Sequence, residues 1–244
     1  MYPILFKIGF ITVYSYGVML ATAVMVCTFL AQKDAKRFGL DIAAVMDLIF
    51  WVVLSGIAGG RIFYILLNLS FFKENPSEII MLQHGGLAWQ GALILGTIAG
   101  LIFIRIKKMP LGKTFDFVAP YIALGQAIGR VGCFLNGCCY GKEVSWGIYC
   151  PVHDARLHPT QLYDSFGLLL IFFFLKYYQK VSKVEGEVFI TYLLLAPFLR
   201  FIVEFFRADH VEVTAGLSIF QIICLCLIAL TIYGRTLLHR RQRA

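Results

Sequence analysis

Three arginines lie within strongly apolar stretches of this 244-residue sequence: Arg61, Arg130 and Arg200. A charge at bilayer depth costs at least about 2.5–3.5 kcal/mol on insertion scales, so such arginines need a partner or a function. Acids near them are few, although Glu204 follows Arg200 by four residues and would share its helical face. Because a guanidinium binds phosphate bidentately and stays charged when desolvated, the pattern favours an anionic headgroup as ligand. Internal salt bridges that hold helices together are the structural alternative.

The segment around Arg130 is rich in small residues. Gly125, Gly129 and Gly132 recur every three or four positions and give one helix face without side chains. Such a face favours close helix packing, and it also puts Arg130 beside a surface that a ligand can approach. Asn136, which is followed by a glycine, predicts a turn just after the apolar stretch.

Two further polar segments open apolar stretches. The segment His84-Gly85-Gly86 precedes one of them, where free backbone N–H groups at a helix start could face an anion. Residues 158–163 (HPTQLY) open another, and their proline suits the first turn of a helix. Thr160 or His158 could cap that helix, and His158 is either such a cap, a surface residue or a base.

The elements that must position these residues are membrane-spanning helices. The chain is 59% hydrophobic and 15% charged, with a mean hydropathy of +0.78. A soluble domain is about 45–50% apolar and about 25% charged. A membrane-crossing helix needs roughly 20 mostly apolar residues. The segments that qualify are 14–31, 45–69, 86–104, 115–135, 161–175, 188–205 and 217–232, of which the fifth is expected to extend to Tyr178. We therefore predict an all-α, polytopic integral membrane protein with seven transmembrane helices, in which residues 1–244 form a single transmembrane domain.

The positive charges predict the orientation of these helices. The sequence has 22 Lys and Arg against 14 Asp and Glu. Most of the positive residues lie in the loops after the first, third and fifth spans and in the C-terminal tail. Since cytoplasmic loops carry the Lys and Arg excess, we predict an external N-terminus and a cytoplasmic C-terminus. The excess of Lys and Arg is then explained by membrane orientation and does not indicate nucleic-acid binding. Lys33, Lys36 and Arg37 follow the first span, whereas only Lys7 precedes it, which predicts a retained helix rather than a cleaved signal peptide.

Short blocks of glycine and polar residues follow one another in a definite order along the chain. They are Tyr16-Gly17, Gly59-Gly60-Arg61, Gly85-Gly86-Leu87, Gly129-Arg130-x-Gly132, Asn136-Gly137, His158-Pro159-x-Gln161-Leu162-Tyr163 and Arg200-x-x-x-Glu204-Phe205-Phe206-Arg207. This order resembles that of the bacterial prolipoprotein diacylglyceryl transferases, from the first predicted span to the last. The Gly-Arg-x-Gly and His-Pro-x-Gln-Leu-Tyr blocks are each fairly specific. We therefore interpret the chain as a divergent member of that family.

The resemblance implies a reaction and its partners. Members of the family transfer the diacylglyceryl group of phosphatidylglycerol to the lipobox cysteine thiol of a preprolipoprotein and release glycerol 1-phosphate. The expected location is the bacterial cytoplasmic (inner) membrane, which the chain would cross several times. The expected partners are phosphatidylglycerol, the preprolipoprotein signal peptide and membrane lipids, with no nucleic acid. The resemblance implies no metal and no organic cofactor.

The same resemblance assigns roles to individual residues. Arg130 and Arg200 match the family's two essential arginines and would stabilise the charge that develops on the departing phosphate ester. The residues expected to bind substrate or support its binding are Tyr16, Arg61, Gly85, Gly86, Gln90, Asn136, Gln161, Tyr163, Glu204 and Arg207.

Several positions depart from the family pattern. The family usually has a histidine, treated as the base for the thiol, where this chain has Gln90, and a glutamine cannot usefully accept a proton at neutral pH. His84 and His158 are the catalytic candidates for that role, with water or the substrate phosphate as alternatives. Cys133, Cys138 and Ala196 replace a family asparagine, an acidic residue and a tyrosine. A changed substrate is a further alternative.

Four cysteines follow Arg130 closely: Cys133, Cys138, Cys139 and Cys150. A disulfide such as Cys139 to Cys150 is one interpretation, because an outer face permits disulfides. A metal site is another, although the spacing matches no strong zinc pattern. Two other functions therefore stay open beside lipid transfer. One is non-catalytic phospholipid binding or lipid transport on the same fold, and the other is thiol redox chemistry.

Overall fold

The computed structural model describes residues 2–8, 11–81, 85–151, 153–214 and 216–243. The chain is 72% helical, in agreement with the predicted helical membrane fold. One predicted catalytic residue, His84, lies outside the described residues. By its internal contacts the chain divides into a first unit of Met1–Phe29 and Gly112–Ala244 and a second unit of Leu30–Leu111. The single transmembrane domain stays a prediction.

The second unit is built on two long helices, α2 (Ile42–Leu67) and α4 (Trp89–Ile106), which pack along each other. The side chain of Asp41 begins α2 by accepting hydrogen bonds from the backbone N–H groups of residues 43 and 44. The short helix α3 (Leu69–Glu74) and a 3₁₀ turn (Pro76–Ile79) follow α2. A Cβ atom at Gly91 would overlap the backbone of Gly59, so glycine is required where the two helices meet.

The first unit contains most of the polar motifs. Its helices are α5 (Leu111–Asn136), α6 (Thr160–Val181), α7 (Glu187–Glu204) and α8 (Ile219–Arg243), together with the beginning of α1 (Ser15–Ala35). α7 packs against both α6 and α8. The segment after α5 meets the segment after α7 in an antiparallel bridge between Gly141 and Arg207. This bridge brings together the ends of two helices that are far apart in the sequence.

Three short antiparallel strand pairs interrupt the helices, and the all-α prediction omits them. They are β1 (Ile4–Ile8) with β2 (Ile11–Tyr14), β3 (Glu143–Cys150) with β4 (Ala155–Leu157), and β5 (Glu212–Thr214) with β6 (Leu217–Ser218). The two pairs after α5 and α7 lie in the loops that carry polar motifs. Strands this short carry too little alternation for their pattern to separate them from loops.

Among the described residues, five helices are long and apolar enough to cross a membrane: Ser15–Phe38, Ile42–Leu67, Trp89–Ile106, Leu111–Asn136 and Ile219–Arg240. The chain is therefore a multi-pass membrane protein. α6 and α7 correspond to the other two predicted spans and fall outside this set. Seven spans and the direction of the termini stay predictions. α6 continues to Val181, so the expected extension to Tyr178 is confirmed and exceeded by three residues.

The structure corrects one predicted helix start and confirms one predicted turn. The third span is expected to begin at residue 86, but α4 begins at Trp89. Gly85 and Gly86 have φ angles of 82° and 83°, a left-handed conformation that glycine adopts readily and that ends helical geometry. After α5, Gly137 has a φ of 76°, as the turn predicted at Asn136 requires.

Candidate active site

The two arginines singled out in the sequence share one carboxylate. Arg130 of α5 places its Nε 3.1 Å from Asp164 Oδ2 of α6, and Arg200 of α7 places its Nη1 3.9 Å from the same oxygen. Arg200 Nη2 also lies 2.5 Å from Glu204 Oε2, one helical turn along α7. Asp164 and Glu204 are almost completely buried. Three helices therefore meet at a buried network of two guanidinium groups and two carboxylates.

The network continues beyond the end of α7. Arg207 Nε lies 3.5 Å from Glu204 Oε2 and donates a hydrogen bond of 2.7 Å to Asp209 Oδ1. Ser218, just before α8, donates to the other oxygen of Glu204 at 3.2 Å. Because Arg207 donates to it, the pKa of Asp209 lies below its usual range. The expectation of few compensating acids is thus wrong, since three carboxylates face three arginines here.

Charge pairing does not use every donor of this network. Arg200 Nη1 is buried and makes no hydrogen bond to any residue that the structure describes. Arg130 contributes only its Nε to the ion pair with Asp164, and its side chain remains 27% exposed. A buried guanidinium nitrogen without an acceptor is costly, and an anionic oxygen would satisfy it. The network thus keeps one buried guanidinium nitrogen for which the described residues supply no hydrogen-bond acceptor.

Gln161 holds the loop that follows α5. Its Nε2 donates to the Cys138 carbonyl at 2.6 Å, and the neighbouring Thr160 Oγ1 donates to the Cys139 carbonyl at 2.8 Å. Both side chains are almost completely buried. Neither Thr160 nor His158 caps α6, contrary to the prediction, because Thr160 is used by this loop. The first turn of α6 thus positions the 137–141 loop.

His158 belongs to an aromatic cluster beside this loop. Its Nδ1 lies 3.1 Å from the Tyr163 hydroxyl. The rings of Trp146 and Phe206 lie 4.7 Å and 5.4 Å from the His158 ring, between centroids. A Cβ atom at Gly141 would overlap Cβ of His158, so glycine is required at that position. Tyr163 therefore orients the imidazole, which is half-buried and keeps Nε2 outside this hydrogen bond.

Three cysteine thiols converge at the start of the same loop. The Sγ atoms of Cys133, Cys138 and Cys139 all lie within 4.8 Å of one another. Hydrogen bonds from the other two thiols hold the pKa of Cys139 well below its usual range, and Arg207 and Arg130 act in the same direction. All seven cysteines of the chain, Cys150 included, are free thiols, so the structure contains no bridge from Cys139 to Cys150.

Tyr16 and Asn136 lie beside this thiol cluster. A Cβ atom at Gly132 would lie 3.2 Å from the Tyr16 ring, so α1 and α5 meet closely here. The Tyr16 hydroxyl is within electrostatic range of Arg130 and of the thiols. The Asn136 side chain hydrogen-bonds with the Cys138 thiol. Both residues therefore lie near Arg130, and their roles in substrate binding stay predictions.

The other predicted binding residues belong to the second unit. Arg61 is buried, and its Nε, Nη1 and Nη2 all donate to backbone carbonyls, those of residues 78, 79, 81, 85 and 86. Gly86 in its left-handed conformation packs against the Tyr64 ring. Gln90 lies exposed in the first turn of α4. Arg61 thus holds residues 78–81 and 85–86 through backbone carbonyls, rather than through the internal salt bridge that is the structural alternative, and its role in binding stays a prediction.

Asp164, Asp209 and Ser218 are residues of the network that the sequence motifs did not assign. Of these, Asp164 has a signal in the sequence. It follows Gln161 by three residues and is an acid near the start of an otherwise apolar helix. An intramembrane acid of this kind is itself a signal of function, and it could have been included on that ground. Asp209 lies outside the apolar segments and Ser218 is an uncharged residue at the start of the last one, so neither carries a comparable signal.

Apolar helices long enough to cross a membrane and a buried network of paired arginines and carboxylates together define the chain as a multi-pass membrane protein with a charged interior site. The sequence profile described as Prolipoprotein diacylglyceryl transferase matches residues 3–236. The chain is 36% identical over 257 residues to a relative from Nostoc sp., covering 99% of this chain and 90% of the relative. It is 35% identical over 249 residues to one from Staphylococcus carnosus, covering 96% and 90%.

A third relative, from Clostridium tetani, is 34% identical over 241 residues, which cover 96% of both chains. All three relatives carry the name phosphatidylglycerol–prolipoprotein diacylglyceryl transferase. The chain therefore belongs to the prolipoprotein diacylglyceryl transferase family, and the resemblance inferred from its motifs is confirmed.

Proposed function

We propose that this protein transfers the diacylglyceryl group of phosphatidylglycerol to the lipobox cysteine thiol of preprolipoproteins. The single observation that carries this assignment beyond family membership is the pairing of Arg130 and Arg200 through Asp164. That pairing holds two guanidinium groups side by side, with Nη1 of Arg200 still lacking a hydrogen-bond acceptor. A phosphate diester headgroup supplies such an acceptor.

The proposed reaction balances as a substitution at carbon. The cysteine thiol loses its proton, and the thiolate sulfur forms a bond to the glycerol carbon of the diacylglyceryl group. The bond from that carbon to the phosphate oxygen breaks, and glycerol 1-phosphate leaves with the electron pair. Arg130 and Arg200 stabilise the negative charge that develops on this oxygen, in a site with little water.

The base for the thiol is proposed from the same residues. Gln90 cannot serve, because an amide does not accept a proton usefully. His158 is a candidate since its Nδ1 is oriented by Tyr163 and its ring is half-buried beside the loop. His84, water and the substrate phosphate are the alternatives.

We further propose that α6 and α7 also cross the bilayer, giving seven spans in one transmembrane domain of the bacterial inner membrane. α6 has 22 residues and α7 has 18, which is close to the roughly 20 residues that a span requires. The charges of α7 are paired, because Arg200 and Glu204 neutralise each other and Glu187 pairs with Arg235 of α8. The basic C-terminal tail supports a cytoplasmic C-terminus and an external N-terminus.

The test uses the purified full chain, phosphatidylglycerol micelles and a peptide with a lipobox cysteine. Glycerol 1-phosphate release and the mass gained by the peptide are measured together. Arg130→Gln should abolish both, whereas Arg105→Gln, which removes an exposed arginine of α4, should leave both unchanged. Equal transfer by the Arg130→Gln variant would contradict the assigned role.

The same assay separates the other functions. A lipid-binding or lipid-transporting protein would bind phosphatidylglycerol with no release of glycerol 1-phosphate, and its paired charges at the headgroup site would look the same. A thiol redox protein would lose function when Cys138 and Cys139 are replaced, while lipid transfer would be absent throughout.

A further inference from the structure

The cluster of three thiols after Arg130 has the composition and geometry of a metal site. Thiolate is a preferred ligand of Zn²⁺, and a tetrahedral site with Zn–S bonds of about 2.3 Å separates its sulfurs by about 3.8 Å. The Sγ atoms of Cys133, Cys138 and Cys139 already lie within 4.8 Å of one another. Each sulfur pair therefore has to close by at most about 1 Å, which side-chain rotation can supply.

The backbone around these thiols is held in place before any ion binds. The Cys138 N–H donates to the Cys133 carbonyl at 3.2 Å, which closes the end of α5. The carbonyls of Cys138 and Cys139 are held from the other side by Gln161 and Thr160. A site whose ligands are ordered in advance loses less conformational entropy on binding.

The surroundings also supply charge and access. Three thiolates and one divalent ion leave a net negative charge, and Arg207 and Arg130 lie within electrostatic range of Cys139. None of the three thiols is fully buried, so an ion can reach them from outside. Cys150, in contrast, is buried on β3 and stands apart from the cluster.

We propose that Cys133, Cys138 and Cys139 bind one thiophilic divalent cation, Zn²⁺ in the first place, as a three-sulfur site. Three protein ligands leave the fourth tetrahedral position to water or to an incoming group. This site goes beyond the metal-free enzyme that the family resemblance implies. It does not depend on the proposed transfer reaction.

The experiment measures the metal rather than the activity. The full-length chain is produced in zinc-containing medium, freed of its affinity tag, and purified in detergent without chelator. Zinc is then quantified by mass spectrometry, and Co²⁺ is substituted to record the thiolate-to-cobalt charge-transfer absorption. We expect one zinc ion per chain and a cobalt spectrum that reports sulfur ligands.

Variants assign the site. Cys138→Ser should weaken zinc binding by at least about 100-fold, more than the 10–100-fold typical for loss of an outer-shell partner. Cys226→Ser is the matched control, since it removes an exposed thiol of α8 and should leave zinc binding unchanged. If Cys138→Ser fails to fold, the cobalt spectrum of the unaltered chain still shows whether sulfur atoms bind the metal.

Three outcomes would overturn the proposal. One is a zinc-free protein whose cobalt complex has no charge-transfer band. Another is a zinc content that is the same in the Cys138→Ser and Cys226→Ser variants. The last is a peptide mass that reveals a disulfide within the cluster under non-reducing purification.

Discussion

Asp164 is the residue whose replacement tests the structure most directly. At an effective dielectric constant of about 20, unit charges 3.1 Å and 3.9 Å apart attract by about 5 and about 4 kcal/mol. Desolvation of the buried carboxylate offsets much of this attraction, and removal of one partner from a buried ion pair costs about 3–5 kcal/mol. Asp164→Asn preserves the shape of the side chain but leaves Arg130 and Arg200 facing each other without their shared anion. We expect it to destabilise the chain by about 3–5 kcal/mol.

Asp164→Asn should also impair lipid transfer, because the two guanidinium groups will no longer be held side by side. A misplacement of about 1 Å in a catalytic group can cost about 100-fold in rate, so we expect kcat to fall by about that factor. KM for phosphatidylglycerol should change less, and this split identifies a positioning role. Thermal unfolding in detergent and the glycerol 1-phosphate assay measure both effects.

Asp41→Asn is the matched control for this substitution. Asp41 begins α2 in the second unit, and asparagine caps a helix about as well as aspartate. Stability and transfer should therefore stay close to those of the unaltered chain. Wild-type kcat and an unchanged melting temperature for Asp164→Asn would refute the shared-carboxylate reasoning.

Three further predictions follow from local contacts. Gly141→Ala should lower the melting temperature and lipid transfer, because its Cβ would overlap neighbouring atoms. Gly234→Ala, which has open space around it, should stabilise α8 by about 0.5–1 kcal/mol. Equal melting temperatures for the two variants would contradict this. Arg61→Lys should lower the melting temperature by breaking charged hydrogen bonds worth about 1.5–3 kcal/mol each, and an unshifted melting curve would count against that anchor. The Arg207 guanidinium lowers the pKa of Asp209, so their pair stabilises the fold above about pH 4, and this contribution disappears as the pH falls through the lowered pKa. Asp209→Asn should remove up to about 1 kcal/mol of the pH dependence of the unfolding free energy, measured by acid denaturation. Unchanged acid denaturation curves would refute the pairing.

Features that depend on neighbouring residues could be predicted from the sequence. The pairing of Arg200 with Glu204 follows from helical periodicity alone, and the structure confirms it at 2.5 Å. The turn at Gly137 follows from the Asn-Gly pair, since only a few residue types tolerate a positive φ angle. The positions of the long apolar helices follow in the same way from the length that a bilayer requires.

Features that depend on how one helix is rotated against another could not be predicted from the sequence. Nothing local indicates that Asp164 faces Arg130 rather than a residue of another helix, or that Gln161 reaches the Cys138 carbonyl rather than a lipid. The carbonyls that surround Arg61 come from a segment with no periodic pattern, so its internal role could not be separated from headgroup binding.

The sequence by itself therefore determined the class of protein, its family and which polar residues lie in apolar segments, because apolar length, helical periodicity and motif order are local properties of the chain. Only the tertiary structure decided what those residues do to one another. Arg130 and Arg200 become a pair because α6 carries Asp164 between them, and three cysteines become a cluster because α6 holds their loop. Such contacts form when distant segments pack, and packing depends on the shapes of whole helix surfaces rather than on any one motif.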